Sequence, residues 1–338
     1  MARNNNKMTR RKKIEPSALT MLFGVPVTTA PGSSTIDLSQ CASLVNRRFY
    51  RQGINWTVAG FKFLSATGIT GELSISKLPT TWVMSNAWEK SFRAWQKMNK
   101  QAMEETESIQ PKFLDFKIYM DNIHHEAGFD GNLLPTATVT QFTPGEWESS
   151  KFVFLSSPTS NSVISVEAIA TGASFPGASP VTTLDAVSLI EGYASSRALP
   201  EIADPNTPRD ADDVGPTGTP ENWLGSLFTE GSNQDGVVLN DLQTENNIAP
   251  YPFENDGVNV DTMYPNGANQ GRGLQMHDFD NITGTTIGGV TYMKGGNFPC
   301  GLIRIDSTNF SESSNVLLLV ELVPGDHRGY HCEPMTDM

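Results

Sequence analysis

The chain has 338 residues, 38% apolar and 18% charged, with 24 Lys and Arg against 37 Asp and Glu for a net charge of −13. That length can bury a large core, and 29 Gly and 21 Pro beside plentiful Thr, Val and Ile point to a loop-rich, β-rich domain rather than a helical one. No run of 18 apolar residues offers a membrane span, and Pro26 cuts short the only apolar piece near the N-terminus, Met21 to Val25, which argues against a secretory leader.

The first thirteen residues carry Arg3, Lys7, Arg10, Arg11, Lys12 and Lys13 and no acid; the first acid is Glu15. Without those six cations the chain has 18 bases against 37 acids, a net of −19. A basic arm is thus joined to an acidic body. Spaced like charges cannot bury apolar surface, so the arm is expected to be disordered, and such arms bind polyanions by neutralising phosphates and releasing counterions. A solubilising terminus or a nuclear-import signal would use the same residues. Ile14 to Ser43, a mixture of Pro, Ser, Thr and Gly, reads as an extended tether. The expected division is therefore a basic arm and tether at 1–43 and a folded domain at 44–338.

Arg47, Arg48 and Arg51 interleave with Phe49 and Tyr50. Arginine on phosphate and an aromatic on a base suit single-stranded nucleic acid. The plainer alternative is an ordinary strand with Phe49 in the core. Ile54–Phe63 and Thr70–Leu78 alternate apolar and polar residues as strands do, and Gly60 suggests a bulge. From Asn86 to about Glu107 the spacing predicts a helix. Asn86 and Glu89 form a capping-box pattern, and Trp88, Phe92, Trp95 and Ala102 make a one-sided stripe for the core. Lys112–Asp121 alternates as a strand, and further strands are expected at Ala137–Phe142, Lys151–Leu155 and Ser162–Ala168. Ser179-Pro180 reads as the start of a second helix, running to Arg197.

Residues 200–265 hold 13 acids and one base, Arg209, with many Pro and Gly, and read as a long acidic surface loop with a short helix at Asn222–Phe228. Strands return at Thr285–Met293, Leu302–Ile305 and Val316–Val323. The continuous run Val316–Val320 is expected between two layers. Short strands in two blocks, with helices and a long loop inserted, suit an all-β single jelly-roll β-sandwich.

Motifs for chemistry are sparse. His124-His125-Glu126 is the densest titratable cluster, but it lacks the spacing of a metal site and reads as a solvated loop. Asp210, Asp212 and Asp213, or Asp130 with Asn132, offer oxygen ligands without completing a calcium loop. Cys41, Cys300 and Cys332 fit neither a zinc motif nor a disulfide framework and read as reduced thiols, with one pairing left open. No nucleophile elbow, Walker A loop or dinucleotide fingerprint is present. The expectation is no enzyme and no cofactor, with a divalent cation between subunits left as a candidate.

Three stretches carry a family resemblance. They are Leu78-Pro79-Thr80-Thr81-Trp82-Val83 with the Trp-rich helix behind it, Phe113 to Tyr119, and the closing Leu318 to Tyr330. With the basic arm, they make the chain resemble capsid proteins of small circular Rep-encoding single-stranded DNA viruses, the smacovirus-like group in particular. The resemblance implies a jelly-roll subunit of an icosahedral virion. The shell would be of the T=1 kind, with 60 copies enclosing circular single-stranded DNA and meeting a host surface receptor, with passage through the host nucleus during assembly. Arg3, Lys7, Arg10, Arg11, Lys12 and Lys13 would face the genome, and Arg47, Arg48 and Arg51 would add to them. Sixty six-cation arms bring roughly 360 charges to a few thousand phosphates, so the arms alone neutralise a minority. The rival reading is a non-catalytic β-sandwich adhesin or carbohydrate-binding module; a third, a secreted hydrolase, needs two carboxylates facing one cleft.

Overall fold

The computed structural model describes residues 16–103, 114–137, 140–145, 147–157, 160–174, 177–198, 223–226, 273–283 and 289–338. Two antiparallel sheets face each other. β1 (Thr20–Val27), β13 (Ser314–Leu322), β3 (Ile54–Leu64) and β11 (Val290–Pro299) lie side by side in that order, and β16 (Cys332–Pro334) adds to β3. β10 (Gln275–Ile282), β4 (Gly71–Lys77), β12 (Leu302–Thr308) and β2 (Gly32–Asp37) make the second sheet, in that order. Strand side chains alternate between faces. Met21, Phe23, Val25 and Val27 of β1 therefore point inward, with Phe61 and Phe63 of β3 and Val316, Leu318 and Val320 of β13. Leu73, Ile75, Ile303 and Ile305 of the other sheet close the same core. Pro26 is compatible with β1 because that strand is the edge of its sheet. Near Gly60, β3 carries a bulge: Glu321 opposes Gly60 and Leu322 opposes Val58.

Residues 16–46 are not a tether. They form β1, β2 and α1 (Leu38–Asn46), and all three contribute buried side chains. The long apolar run of β13 is not enclosed on both sides either: Leu318 and Val320 are buried, whereas Leu317 is 45% exposed. β10, with the polar sequence Gln-Met-His-Asp-Phe-Asp-Asn-Ile, is a strand that periodicity did not suggest.

A second apolar cluster is built mostly from the segment between β4 and β10, and Cys300, Leu302 and Met335 join it. α2 (Trp82–Met103) starts four residues before the expected cap, with Thr81 Oγ1 accepting from Met84 N at 3.3 Å. Asn86 is therefore inside the helix rather than at its cap. The aromatic stripe packs as expected: Trp88 and Trp95 are buried, and Trp88 stacks on Phe92 with centroids 4.9 Å apart. The chain from Leu114 to Ile118 is not a strand: side chains take up part of its backbone hydrogen bonding, with Lys117 N donating to Ser150 Oγ at 3.0 Å and Ile118 N to Gln52 Oε1 at 2.7 Å. α3 (Asn122–Ala127) follows, then the small β5 (Thr136–Ala137) and β6 (Thr140–Gln141) pair. β7 (Lys151–Ser157) and β8 (Ser160–Ile169) pair antiparallel, and β9 (Ala186–Ser188) joins β8 in parallel. α4 (Leu189–Ala198) begins nine residues after Pro180, since Ala186–Ser188 is drawn into the sheet. α5 (Trp223–Ser226) falls within the expected short helix. The remainder of 200–265 lies outside the described residues. β14 (Pro324–Gly325) and β15 (Gly329–Tyr330) form a final hairpin that places Tyr330 in the first core.

Candidate nucleic-acid interface

Asp37 organises the loop that carries the internal arginines. Its carboxylate is fully buried and caps α1, accepting from Ser39 N at 2.8 Å and Gln40 N at 3.3 Å. Its other oxygen accepts from Trp147 Nε1 at 2.6 Å and Gln52 Nε2 at 3.2 Å. α1 ends at Arg47, which takes left-handed geometry (φ 55°, ψ 41°) and reverses the chain. Tyr50 then plugs into the core, and its hydroxyl donates to Arg328 O at 3.0 Å.

With this backbone pinned, the arginines face outward. Arg47 and Arg51 are exposed and Arg48 is half-buried. Arg51 Nε donates to Leu114 O at 3.1 Å, and its guanidinium lies 5.9 Å from the Phe49 ring centroid. Phe49 is half-buried in the loop between α1 and β3 and is not a core residue of a strand. Arg328 joins this group, donating through Nη1 to Phe49 O. Sequence reasoning placed Arg328 in a polar tail; 279 positions separate it from Phe49, and no local pattern carries that contact. His327 beside it is held below the ordinary imidazole range by burial and by the charges of Arg328 and Arg51.

The base of the N-terminal arm is fastened to this same loop. Arg48 Nη1 donates to Pro16 O at 3.1 Å. Ala18 N donates to Asn46 Oδ1 at 3.0 Å, Tyr330 Oη donates to Ala18 O at 2.7 Å, and Asn46 Nδ2 donates to that hydroxyl at 2.7 Å. Arg47, Arg48 and Arg51 are therefore grouped where the arm enters the body. Arg3, Lys7, Arg10, Arg11, Lys12 and Lys13 lie outside the described residues. Fixed arginines beside a stackable ring can take phosphate and base together.

The histidine pair differs from the solvated loop expected of it. Asp121 caps α3, accepting from His124 N at 3.0 Å, and both His124 and His125 are buried. His124 Nδ1 accepts from Met120 N at 3.0 Å and its Nε2 lies 2.7 Å from Asn132 Oδ1, which fixes the Nε2–H tautomer. Burial, with Arg304 nearby, pulls His124 down to about 3. His125 Nε2 meets Glu167 Oε2 at 2.8 Å, and Glu167 also accepts from Ser149 and Thr182. Burial pushes Glu167 up, but those hydrogen bonds outweigh it and hold the carboxyl below the ordinary range. This Ser–Glu–His array is a buried structural network, since the His125 and Glu167 side chains are both 0% exposed. The Asp121 carboxylate also holds the fully buried Arg304 at 2.5 Å.

Among the described residues no group of three or more His, Cys, Asp or Glu could hold a metal ion. Asp130 is exposed, whereas Asn132 is buried and committed to His124 and Gln40, so that pair does not converge. Asp210, Asp212 and Asp213 lie outside the described residues. All three cysteines are unpaired. No described helix is long and apolar enough to cross a membrane. Comparison with known proteins finds no matching family model, curated protein or solved structure.

Proposed function

We propose that this chain is the coat subunit of a small circular Rep-encoding single-stranded DNA virus, of the smacovirus-like kind. It is a single jelly roll that assembles into an icosahedral shell around its genome. The strand order carries this reading. Of the eight long sandwich strands in chain order, the first, eighth, third and sixth make one sheet, and the fifth, fourth, seventh and second make the other. Interleaved Greek keys of this kind define the jelly roll, an architecture of viral shells and lectins.

Two surface features favour a shell over a lectin. Arg47, Arg48 and Arg51 gather at the base of a basic arm, a place suited to a polyanion. The outer face of the first sheet exposes two large apolar side chains among polar neighbours: Leu317 is 45% exposed and opposes Leu64, and Tyr292 is 69% exposed. Apolar surface of this kind is suited to burial between copies.

Negative-stain microscopy of the purified protein, with absorbance at 260 and 280 nm on the same fraction, tests the proposal. Uniform shells with excess 260 nm absorbance are expected. A monomer that persists across salt and calcium concentrations would overturn it and favour the carbohydrate-binding or adhesin reading.

A further inference from the structure

The β14–β15 hairpin delivers a further arginine to the loop of Arg47, Arg48 and Arg51. Arg328 is exposed, and its Nη1 donates to Phe49 O. Arg51 is exposed too, with its guanidinium 5.9 Å from the ring centroid of the same phenylalanine. Two cations from segments far apart in the chain therefore meet around one residue. Among the described residues no carboxylate comes within ion-pair distance of Arg47, Arg51 or Arg328. Asp115 lines a cavity of about 350 Å³ together with Arg51, Trp88, Phe92 and Phe116, but it is committed elsewhere. Its Oδ1 accepts from Gln52 N at 3.1 Å, and Lys117 Nζ stands 3.8 Å from its Oδ2.

Backbone geometry singles out Arg328. Its φ is 51°, in the left-handed region that favours glycine, and Gly329 follows with φ 103°. A glycine at 328 would relieve the strain, so a long cation held there at a conformational cost points to a task at the far end of its side chain. An exposed guanidinium without a counter-charge is a ready phosphate ligand, since its planar fork matches the phosphate oxygens.

His327 lies beside this pair. It is half-buried, and its ring meets Tyr50 edge-on with centroids 6.4 Å apart. Burial first, then the charges of Arg328 and Arg51, hold it below the ordinary imidazole range. The other titratable groups around it are Tyr50 on the loop and Asp326 and Tyr330 on its own hairpin. We propose that Arg51 and Arg328 act together in binding phosphates of the packaged strand, and that His327 takes up a proton from solvent as they do. The phosphates cancel two of the charges that oppose an imidazolium, which becomes easier to form in the complex than in the free subunit. By linkage, affinity rises as pH falls below the ordinary histidine value. Asp115 responds in the same direction, because phosphate also cancels the Arg51 charge that favours its ionised form. His327 needs no contact with the strand for this, only its place beside the two arginines.

The identity of the strand rests on the coat-protein reading, and the test separates the two. Oligo(dT) without terminal phosphates is titrated with free full-length subunits at about pH 5.5 and about pH 7.5, at one salt concentration; neither thymine nor a phosphodiester changes charge in that range. The wild type is expected to bind roughly fivefold more tightly at the lower pH, as a shift approaching one unit gives. Arg328→Gly removes the cation while relaxing the backbone. It should fold and should lower the slope of log affinity against log salt by about 0.7, and Arg328→Lys should restore that slope. His327→Gln should match the wild type at the higher pH and lose most of the gain at the lower one, the remainder belonging to Asp115. Should the variants fail to fold, calorimetry of the wild type in two buffers of different ionisation enthalpy counts the protons directly; uptake is expected, and its absence would overturn the coupling. Inorganic phosphate at the same phosphate concentration should not displace the oligonucleotide, and displacement would assign the arginines to a free anion instead. Shells whose subunits bind independently of pH, with an unchanged slope in Arg328→Gly, would overturn the site and leave the coat-protein reading standing. The expected slope and pH effects in a protein that forms no shells would uphold the site and overturn the coat-protein reading.

Discussion

Arg48 and Pro16 are joined by a hydrogen bond of 3.1 Å, which ties the entry point of the N-terminal arm to the arginine loop. The contact places Arg48 beside the point from which the basic N-terminal sequence departs. Replacing Arg47, Arg48 and Arg51 by Ala is expected to remove up to three phosphate contacts. At about 0.7 per phosphate for single strands, the slope of log affinity against log salt should fall by about 2. Binding measured between low and moderate salt checks this, and an unchanged slope would make these arginines ordinary surface charge.

Deletion of Met1–Lys13 tests the arm separately. The first described strand begins at Thr20, and the anchoring bonds start at Pro16 and Ala18. The fold and the shell should survive the deletion, while the 260-to-280 nm ratio of purified particles falls. Particles with an undiminished ratio would assign packaging to the body alone.

Trp95 is 7% exposed and packs on Phe116 with centroids 5.4 Å apart. Trp95→Ala should cost about 3–5 kcal/mol, through lost burial and the cavity left behind. Urea denaturation of wild type and variant gives the difference directly. Leu317→Asp makes the opposite expectation. At 45% exposure it should change subunit stability by less than about 0.5 kcal/mol, yet block assembly if the outer face is a contact between copies.

His124 and Asp115 give the pH dependence opposite signs. His124 titrates near 3 in the fold against 6.5 unfolded, so between those values the unfolded chain binds more protons and stability falls as pH drops. Burial raises Asp115 from 3.8 to about 6 despite Lys117, so from about 4 to 6 the folded chain binds more protons and stability falls as pH rises. The histidine shift is the larger, and the balance of these two groups is net loss of stability on acidification from pH 6.5. Asp115→Asn should therefore stabilise the protein by roughly 2–3 kcal/mol at pH 7.5 relative to pH 4. His124→Asn should flatten the acid limb. Thermal unfolding between pH 4 and 7.5 reads both.

Features carried by local periodicity are legible in the chain alone. The alternation in β3, β4, β7 and β8 marks strands. The aromatic stripe marks the buried face of α2, and the bulge lies beside Gly60. The arginines of the 47–51 loop stand out by their interleaving with aromatics. The features that sequence reasoning misplaced share one cause, namely partners distant in sequence. β1 looks like a tether because its hydrogen bonds come from β13, with Thr20 opposite Glu321. His124 and His125 look solvated because Asn132 and Glu167, which satisfy them, arrive from other segments. Ala186–Ser188 looks helical on its own, and pairing with β8 makes it a strand.

Charge segregation, strand-rich composition and the period of each element are properties of neighbouring residues, and these can be read from the chain itself. Strand order, the burial of the histidines, the arrival of Arg328 at Phe49 and the aromatic cavity around Asp115 depend on the folded molecule. Burial and hydrogen bonding between segments far apart in the chain, as Phe49 and Arg328 are at 279 positions, are set by which surfaces meet after chain closure, and local spacing holds no record of that.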